Sequence, residues 1–298
     1  MRVQREARAA DDGYSCELAP GLRASADAER LASEIAFSSG RLLGMQASAP
    51  GIFAEIRALA ADSPDGLERA TWICFLTVYL SPLPGDDPFA GVRLVLERGD
   101  RDWDSLLDGV PLGPRTSHDP GRGSDTLRAY RQWALQAGRP EVGQQAEAIV
   151  GEESWTPQRR FERAFERLAL PGFGRMGRYD LLVTLGRLGL YELQAGSLHL
   201  ATGRGMAAED LTTVAAKRLF AVGDPIYLER RASAFAEASA VPVEVLDLAF
   251  ANWAAGERAT LGFDPDTVDS AALESARMAL GLGSAESSDG GDRASIRA

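Results

Sequence analysis

Leu168-Ala-Leu-Pro-Gly-Phe-Gly-Arg-Met-Gly-Arg-Tyr-Asp-Leu-Leu182 is the stretch around which the rest of the chain is organised. Helical apolar spacing enters it from about Thr156 and leaves it from about Arg175. Between the two, Pro171 stops the first helix. Gly172 and Gly174 permit positive φ and leave the backbone bare of side chains. The second helix then starts with unpaired N–H groups facing whatever approaches, which suits a phosphate. The pattern predicts a helix-turn-helix hairpin over 168–182 that holds a DNA backbone through Gly172, Gly174, Arg175 and Arg178.

Outward from the hairpin, every segment with a clear period is helical. Helices are predicted at about 25–46, 51–61, 65–80, 88–98, 124–136, 141–150, 156–167, 175–188, 207–221, 225–239, 242–255 and 264–280. Several begin on sequence caps: Asp87-Pro88, Thr156-Pro157, Asp224-Pro225 and Asp264-Pro265. Leu190–Leu200 alternates loosely around Ala195-Gly196 and reads as a small β-hairpin or a broken helix. Gly99–Gly123, rich in Gly, Pro and Asp, is the longest internal loop. Residues 1–24 read as a loosely held arm, 25–281 as a helical domain in two lobes, and 282–298 as a disordered Ser/Gly/Asp tail. The expected class is all-α.

Composition narrows the chemistry. The 298 residues suffice for a sizeable core, and no apolar run reaches the ~20 residues that cross a bilayer. The basic N-terminus has no apolar segment after it, so a cytoplasmic protein is expected. Two cysteines, Cys16 and Cys74, exclude a disulfide framework and a four-thiolate iron–sulfur cluster. The two histidines, His118 and His199, lack a Cys or Glu at ligand spacing, so neither a metal nor a cofactor is expected. A net charge of −11 argues against binding DNA by general attraction. The hairpin is the exception: from Gln158 to Arg178 there are six arginines against two glutamates, a local balance of +4. The plain alternative is a solvated helix face of Glu–Arg pairs.

Leu-Pro-Gly-hydrophobic-Gly followed by a basic residue and a helix resembles the helix-hairpin-helix of base-excision DNA glycosylases. An ordered set of phrases narrows the likeness: Tyr79-Leu-Ser-Pro-Leu83 with Asp87-Pro-Phe-Ala90, Arg178-Tyr-Asp-Leu-Leu182, Ala215-Ala-Lys-Arg-Leu-Phe220 with Gly223-Asp224, Leu228-Glu-Arg-Arg-Ala232, and Leu246-Asp-Leu-Ala-Phe250 with Asn252-Trp253. Over roughly residues 65–255 the chain resembles the alpha-glutamyl/putrescinyl thymine pyrophosphorylase-type family, relatives of the glycosylases tied to phages with hypermodified bases.

The resemblance implies a helix-hairpin-helix glycosylase-like fold and a carboxylate that stabilises positive charge on the sugar or activates water. Asp224, in Val222-Gly-Asp-Pro-Ile-Tyr-Leu-Glu-Arg230, stands in a similar setting, although Gly223 and a long interval from Gly174 depart from the family pattern. As a plain reading it caps a helix. Asp180 is the competing carboxylate, placed early in the hairpin helix. Lys217, the only lysine, offers Schiff-base chemistry or a phosphate contact. It does not stand just after the hairpin, where strand-cleaving members carry theirs, so the implied enzyme leaves an abasic site. Tyr79, Tyr179, Tyr227 and Trp253 are candidates to stack on an extruded base, with Arg230 and Asn252 as polar contacts. For each aromatic, core packing is the ordinary alternative.

The leading expectation is a monofunctional glycosylase that excises a hypermodified pyrimidine, such as glucosylated hydroxymethylcytosine, from double-stranded phage DNA. The second is a base-modification enzyme that displaces pyrophosphate from an activated hydroxymethyl pyrimidine. The third is a non-catalytic DNA- or protein-binding module.

Overall fold

A computed structural model describes residues 9–99, 105–137, 144–200 and 210–283. Among them all regular structure is helical. In order, the helices are α1 (Ser25–Ser48), α2 (Ile52–Asp62), α3 (Pro64–Leu80), α4 (Ala90–Arg98), α5 (Asp125–Ala137), α6 (Gln144–Val150), α7 (Pro157–Arg167), α8 (Arg175–Arg187), α9 (Leu211–Phe220), α10 (Pro225–Ala238), α11 (Val243–Ala255) and α12 (Ser270–Ala279). None is long and apolar enough to cross a membrane.

Local chemistry accounts for five of the described helix starts. Ser63 Oγ accepts from Gly66 N at 3.0 Å ahead of Pro64. Thr156 Oγ1 accepts from Arg159 N at 3.2 Å ahead of Pro157. Asp210, Asp224 and Asp269 cap α9, α10 and α12 in the same way. Each such cap satisfies donors that a helix cannot satisfy itself, which is worth about 1 kcal/mol.

Where the structure departs from sequence reading, the reason is visible. The last helix begins at Ser270, because Asp264 folds into an Asx turn that accepts Asp266 N at 2.8 Å. Asp87 does not cap α4; it pairs with Arg93, and the helix starts at Ala90. Residues 190–200 form neither a hairpin nor a helix. Their N–H groups find acceptors elsewhere: Leu198 and Leu200 donate to Glu229, and Ala195 donates to Glu244. With carboxylates from α10 and α11 doing this, no partner strand is needed. From residue 9 onward the expected loose arm is tied down. Ala19 and Leu22 are buried, Gly21 N donates to Leu219 O at 2.9 Å, and Tyr14 OH donates to Leu280 O. The tail from 284 onward lies outside the described residues.

Phe37, Leu248, Ala259 and Leu261 form a smaller buried cluster, and the main one runs from Ala19 through Leu280. At its centre lies α8, with Tyr179, Leu181, Leu182, Val183 and Leu185 buried. The turn that delivers α8 is braced from α5: Thr126 Oγ1 donates to Pro171 O at 3.0 Å. Gly172 has φ +76, and an added Cβ would stand 2.2 Å from Thr126 Oγ1. Gly174 is different, with φ −71 and open space around it. Gly172→Ala should therefore cost at least about 1–3 kcal/mol through strain and collision, whereas Gly174→Ala should be close to neutral in thermal unfolding. Equal effects at the two positions would show that the turn is not held as described.

Candidate active site

A chain of buried charges crosses the core behind α8. Arg115 Nη2 donates to Asp180 Oδ2 and to Asp247 Oδ2, each at 3.0 Å. Arg175 Nη2 donates to Asp247 Oδ1 at 2.6 Å and to Asp210 Oδ1 at 2.9 Å, and its Nε donates to Asp210 Oδ2 at 3.0 Å. Asp247 thus bridges two guanidiniums with one carboxylate and is 2% exposed. Three carboxylates and two guanidiniums make this chain, and the buried Arg41 faces its charges through space.

The backbone brings these groups together from five places. α8 contributes Arg175 and Asp180, α9 its cap Asp210, α11 Asp247, and α1 Arg41. Arg115 comes from the second half of the long loop, which is fastened to the end of α3. Gly113 N donates to Leu80 O, Ser117 N to Tyr79 O, and Arg115 N to Ser81 Oγ. Ser81 has φ 60, a conformation costly for a residue with a side chain. It turns the chain where α3 ends.

Arg41, Thr77, Ser81, Arg115, Asp180 and Thr184 line a narrow cleft over this network. Its non-atom space is about 320 Å³ counted to the open mouth, and its core of about 20 Å³ admits a water-sized group. Two arginines on this cleft keep a buried donor with no acceptor among the described residues: Nε of Arg41 and Nη1 of Arg115. A buried charged donor without an acceptor costs free energy that an incoming oxygen atom would remove. Asp180 Oδ2 takes both hydrogen bonds from Arg115, and Oδ1 accepts none among the described residues. The cleft therefore presents one open carboxylate oxygen beside two guanidiniums.

Burial sets the charge states. It raises the Asp180 carboxyl above its ordinary range, against the pull of Arg115. It lowers the Arg41 guanidinium to about 10, against attraction by Asp180, so Arg41 remains charged at neutral pH. Burial also opposes charge on Arg115 and Arg175, but their paired carboxylates overcome it and leave both raised. For Asp210, burial is outweighed by Arg175, and the carboxyl is lowered.

The residues singled out from sequence are dispersed. Asp180 lies in the cleft. Asp224 is exposed on the rim of α10, where its Oδ1 accepts from Ile226 N at 3.0 Å and Tyr227 N at 3.2 Å, the plain helix-cap role. Lys217 is half-buried in the last turn of α9, where its charge complements the helix dipole. Arg175, expected on phosphate, is spent inside the protein. Arg178 is half-buried over the Phe165 ring and donates to Phe165 O at 3.0 Å. Tyr79 and Tyr179 are core residues whose hydroxyls meet His118 Nδ1 and Ser197 O. Asn252 is buried between Glu34 and Ala259 N, and Trp253 Nε1 donates to Asp27 O. Tyr227, 59% exposed, and Arg230 remain at the surface.

Arg41, Arg115, Asp210 and Asp247 escaped the sequence reading. Asp247 carried a signal: a lone carboxylate inside the otherwise apolar run Val245–Phe250. Such a residue needs a buried cation.

Near the network, His199 stacks on Phe165 at 4.3 Å, and burial followed by the charges of Arg175 and Arg178 lowers it to about 4. Protonation therefore favours the unfolded chain, where the ordinary value is 6.5. This contribution is complete above pH about 6.5 and is lost as pH falls towards 4, by up to roughly 3 kcal/mol. Urea unfolding at stepped pH should show the loss, and His199→Asn, which tolerates the residue's positive φ, should flatten it. An unchanged slope in the variant would assign the loss to other groups.

No curated protein and no solved structure matches the chain. One family model does, over residues 118–259, the segment that holds Arg175, Asp180, Asp210 and Asp247. Over that segment the chain is similar to the alpha-glutamyl/putrescinyl thymine pyrophosphorylase family, clade 3, the family whose phrases the sequence resembles.

Proposed function

We infer that this protein is an enzyme acting on a modified pyrimidine of DNA at the Asp180 cleft, and that it displaces diphosphate from an activated hydroxymethyl group in favour of an amine. The observation that carries this reading is the pair of buried guanidiniums, Arg41 and Arg115, each with an unanswered donor beside an open carboxylate oxygen. A diphosphate leaving group needs several fixed cations. The family's name points to the same chemistry.

In this reading the amine lone pair attacks the exocyclic methylene carbon. The bond from that carbon to the diphosphate oxygen breaks, and the electron pair leaves with the diphosphate, held by Arg41 and Arg115. The amine proton passes to Asp180 Oδ1. A carboxyl raised by burial is a better base than an ordinary aspartate. Phosphates of the DNA strand would meet the start of α8, where Gly174 stands at the N-cap without a capping side chain.

A second reading, hydrolysis of the glycosidic bond, draws support from the cleft's water-sized core, since Asp180 would then activate water instead of an amine. Its setting would be defence against phages with hypermodified DNA.

One experiment separates them. The purified protein is incubated with DNA carrying either pyrophosphorylated hydroxymethyluracil or glucosylated hydroxymethylcytosine, with magnesium and putrescine or glutamate. Released diphosphate and a base heavier by the amine are the expected result. A free base with strand breaks after alkali would replace this reading by the glycosylase. Neither product on any substrate would leave a binding module.

A further inference from the structure

The outward face of α10 lines no part of the Asp180 cleft. Leu228, Ala232, Phe235 and Ala236 turn this helix into the core, and Ile226, Tyr227, Arg230, Arg231 and Ala234 are exposed. Ile226 is 64% and Tyr227 59% exposed. Among the described residues no other two exposed large apolar side chains are neighbours in sequence. Arg230 and Arg231 stand four residues on, one helical turn behind each of them. Aromatic and arginine side chains together are the composition that contact surfaces favour.

The charge on this face is one-sided. Neither Arg230 nor Arg231 has a hydrogen-bond or ion-pair partner among the described residues, and the same holds for Arg218, exposed in the last turn of α9. The neighbouring carboxylates are engaged elsewhere. Asp224 closes the start of α10, and Glu229 points the other way, accepting from Leu198 N and Leu200 N. The next acid along the helix is Glu237, beyond Ala234. On a chain of net charge −11, this face therefore complements a polyanion.

Glu229 also fixes where the face lies. Leu198 N donates to Glu229 Oε2 at 3.0 Å, and Leu198 O accepts from Arg175 Nη1 at 2.8 Å. A single residue thus links α10 to the first residue of α8, beside the open surroundings of Gly174. We propose that the outward face of α10 docks duplex DNA, with Arg230 and Arg231 on phosphates and Ile226 and Tyr227 pressed into the adjoining groove. Phosphate contacts set the position, and apolar side chains can then wedge against base steps. Tyr227 packs against no other ring among the described residues, so it is not the fixed stacking platform that single strands use. The choice of DNA among polyanions rests on the function inferred above.

Fluorescence anisotropy of the full chain with a labelled unmodified duplex tests this, beside the single strand of the same sequence, polyglutamate and phosphatidylserine vesicles as competitors. The duplex should bind best. Arg230→Ala with Arg231→Ala should weaken binding and lower the slope of log affinity against log salt by about two. Ile226→Ser with Tyr227→Ser should weaken it by about tenfold and leave the slope alone, because apolar burial is lost and no phosphate contact is. Arg93→Ala, at an exposed position on α4, should bind like the parent. Circular dichroism melts confirm that the variants fold. None of these readouts needs turnover, so binding that depends on α10 in a protein yielding no product would sink the inferred reaction and keep this face. No binding of the duplex, folded α10 variants that bind like the parent, an equal loss in Arg93→Ala, or any competitor binding more tightly than the duplex would overturn the proposal.

Discussion

Asp247→Ala should lower the free energy of unfolding by about 3–5 kcal/mol, the loss that follows when one member of a buried ion network is removed. Asp247 is 2% exposed and is the only carboxylate in the network that contacts both Arg115 and Arg175. Without it the two guanidiniums face each other across a cavity in the core. Each retains another carboxylate, Asp180 for Arg115 and Asp210 for Arg175, so neither is stranded. What is lost is the charge between them, together with the hydrogen bonds that aim Arg115 at the cleft. Urea unfolding at pH 7 measures the effect. A loss below about 1 kcal/mol, the range of exposed pairs, would mean that water enters and screens the network. The same substitution should also depress turnover, because Arg115 would no longer be held from two sides.

Asp180→Asn should cut turnover by about 10²- to 10⁴-fold, the range for removing a positioned acid–base group. Asp224→Asn should leave turnover within a few-fold of the parent, since asparagine is as good an N-cap as aspartate. The contrast follows from position. Asp180 lies in a cleft with one oxygen open and two guanidiniums adjacent, whereas Asp224 is exposed and its Oδ1 already accepts two backbone N–H groups. Asparagine at 180 preserves shape but neither accepts a proton nor balances Arg115, so unfolding of this variant must be measured beside its kinetics. A folded Asp180→Asn enzyme with full activity, or an inactive Asp224→Asn enzyme, would move the chemistry to the mouth of α10.

Buried ions of this kind do little for stability, since hydrophobic side chains of similar volume often serve as well or better. Six ionisable side chains meet in an otherwise apolar helical core, and they converge on a cleft. That arrangement fits a reaction site better than a scaffold.

The sequence by itself determined the helical class, because apolar spacing, Pro at first positions and Ser, Thr or Asp caps are local signals that act within one turn of chain. It also determined the α7–α8 turn, since Pro171 cannot continue a helix and Gly172 alone tolerates the φ required there. Only the tertiary structure decided which charges matter. Arg41, Arg115, Arg175, Asp180, Asp210 and Asp247 are spread over some two hundred positions, and nothing local distinguishes a buried arginine from a solvated one. Asp224 and Asp264 both precede proline, yet one caps a helix and the other folds into a turn, according to what packs beyond them. Residues 190–200 took their shape from Glu229 and Glu244, tens of positions away. Charge pairing and burial act through space, so they are fixed when the helices close on one another and not before.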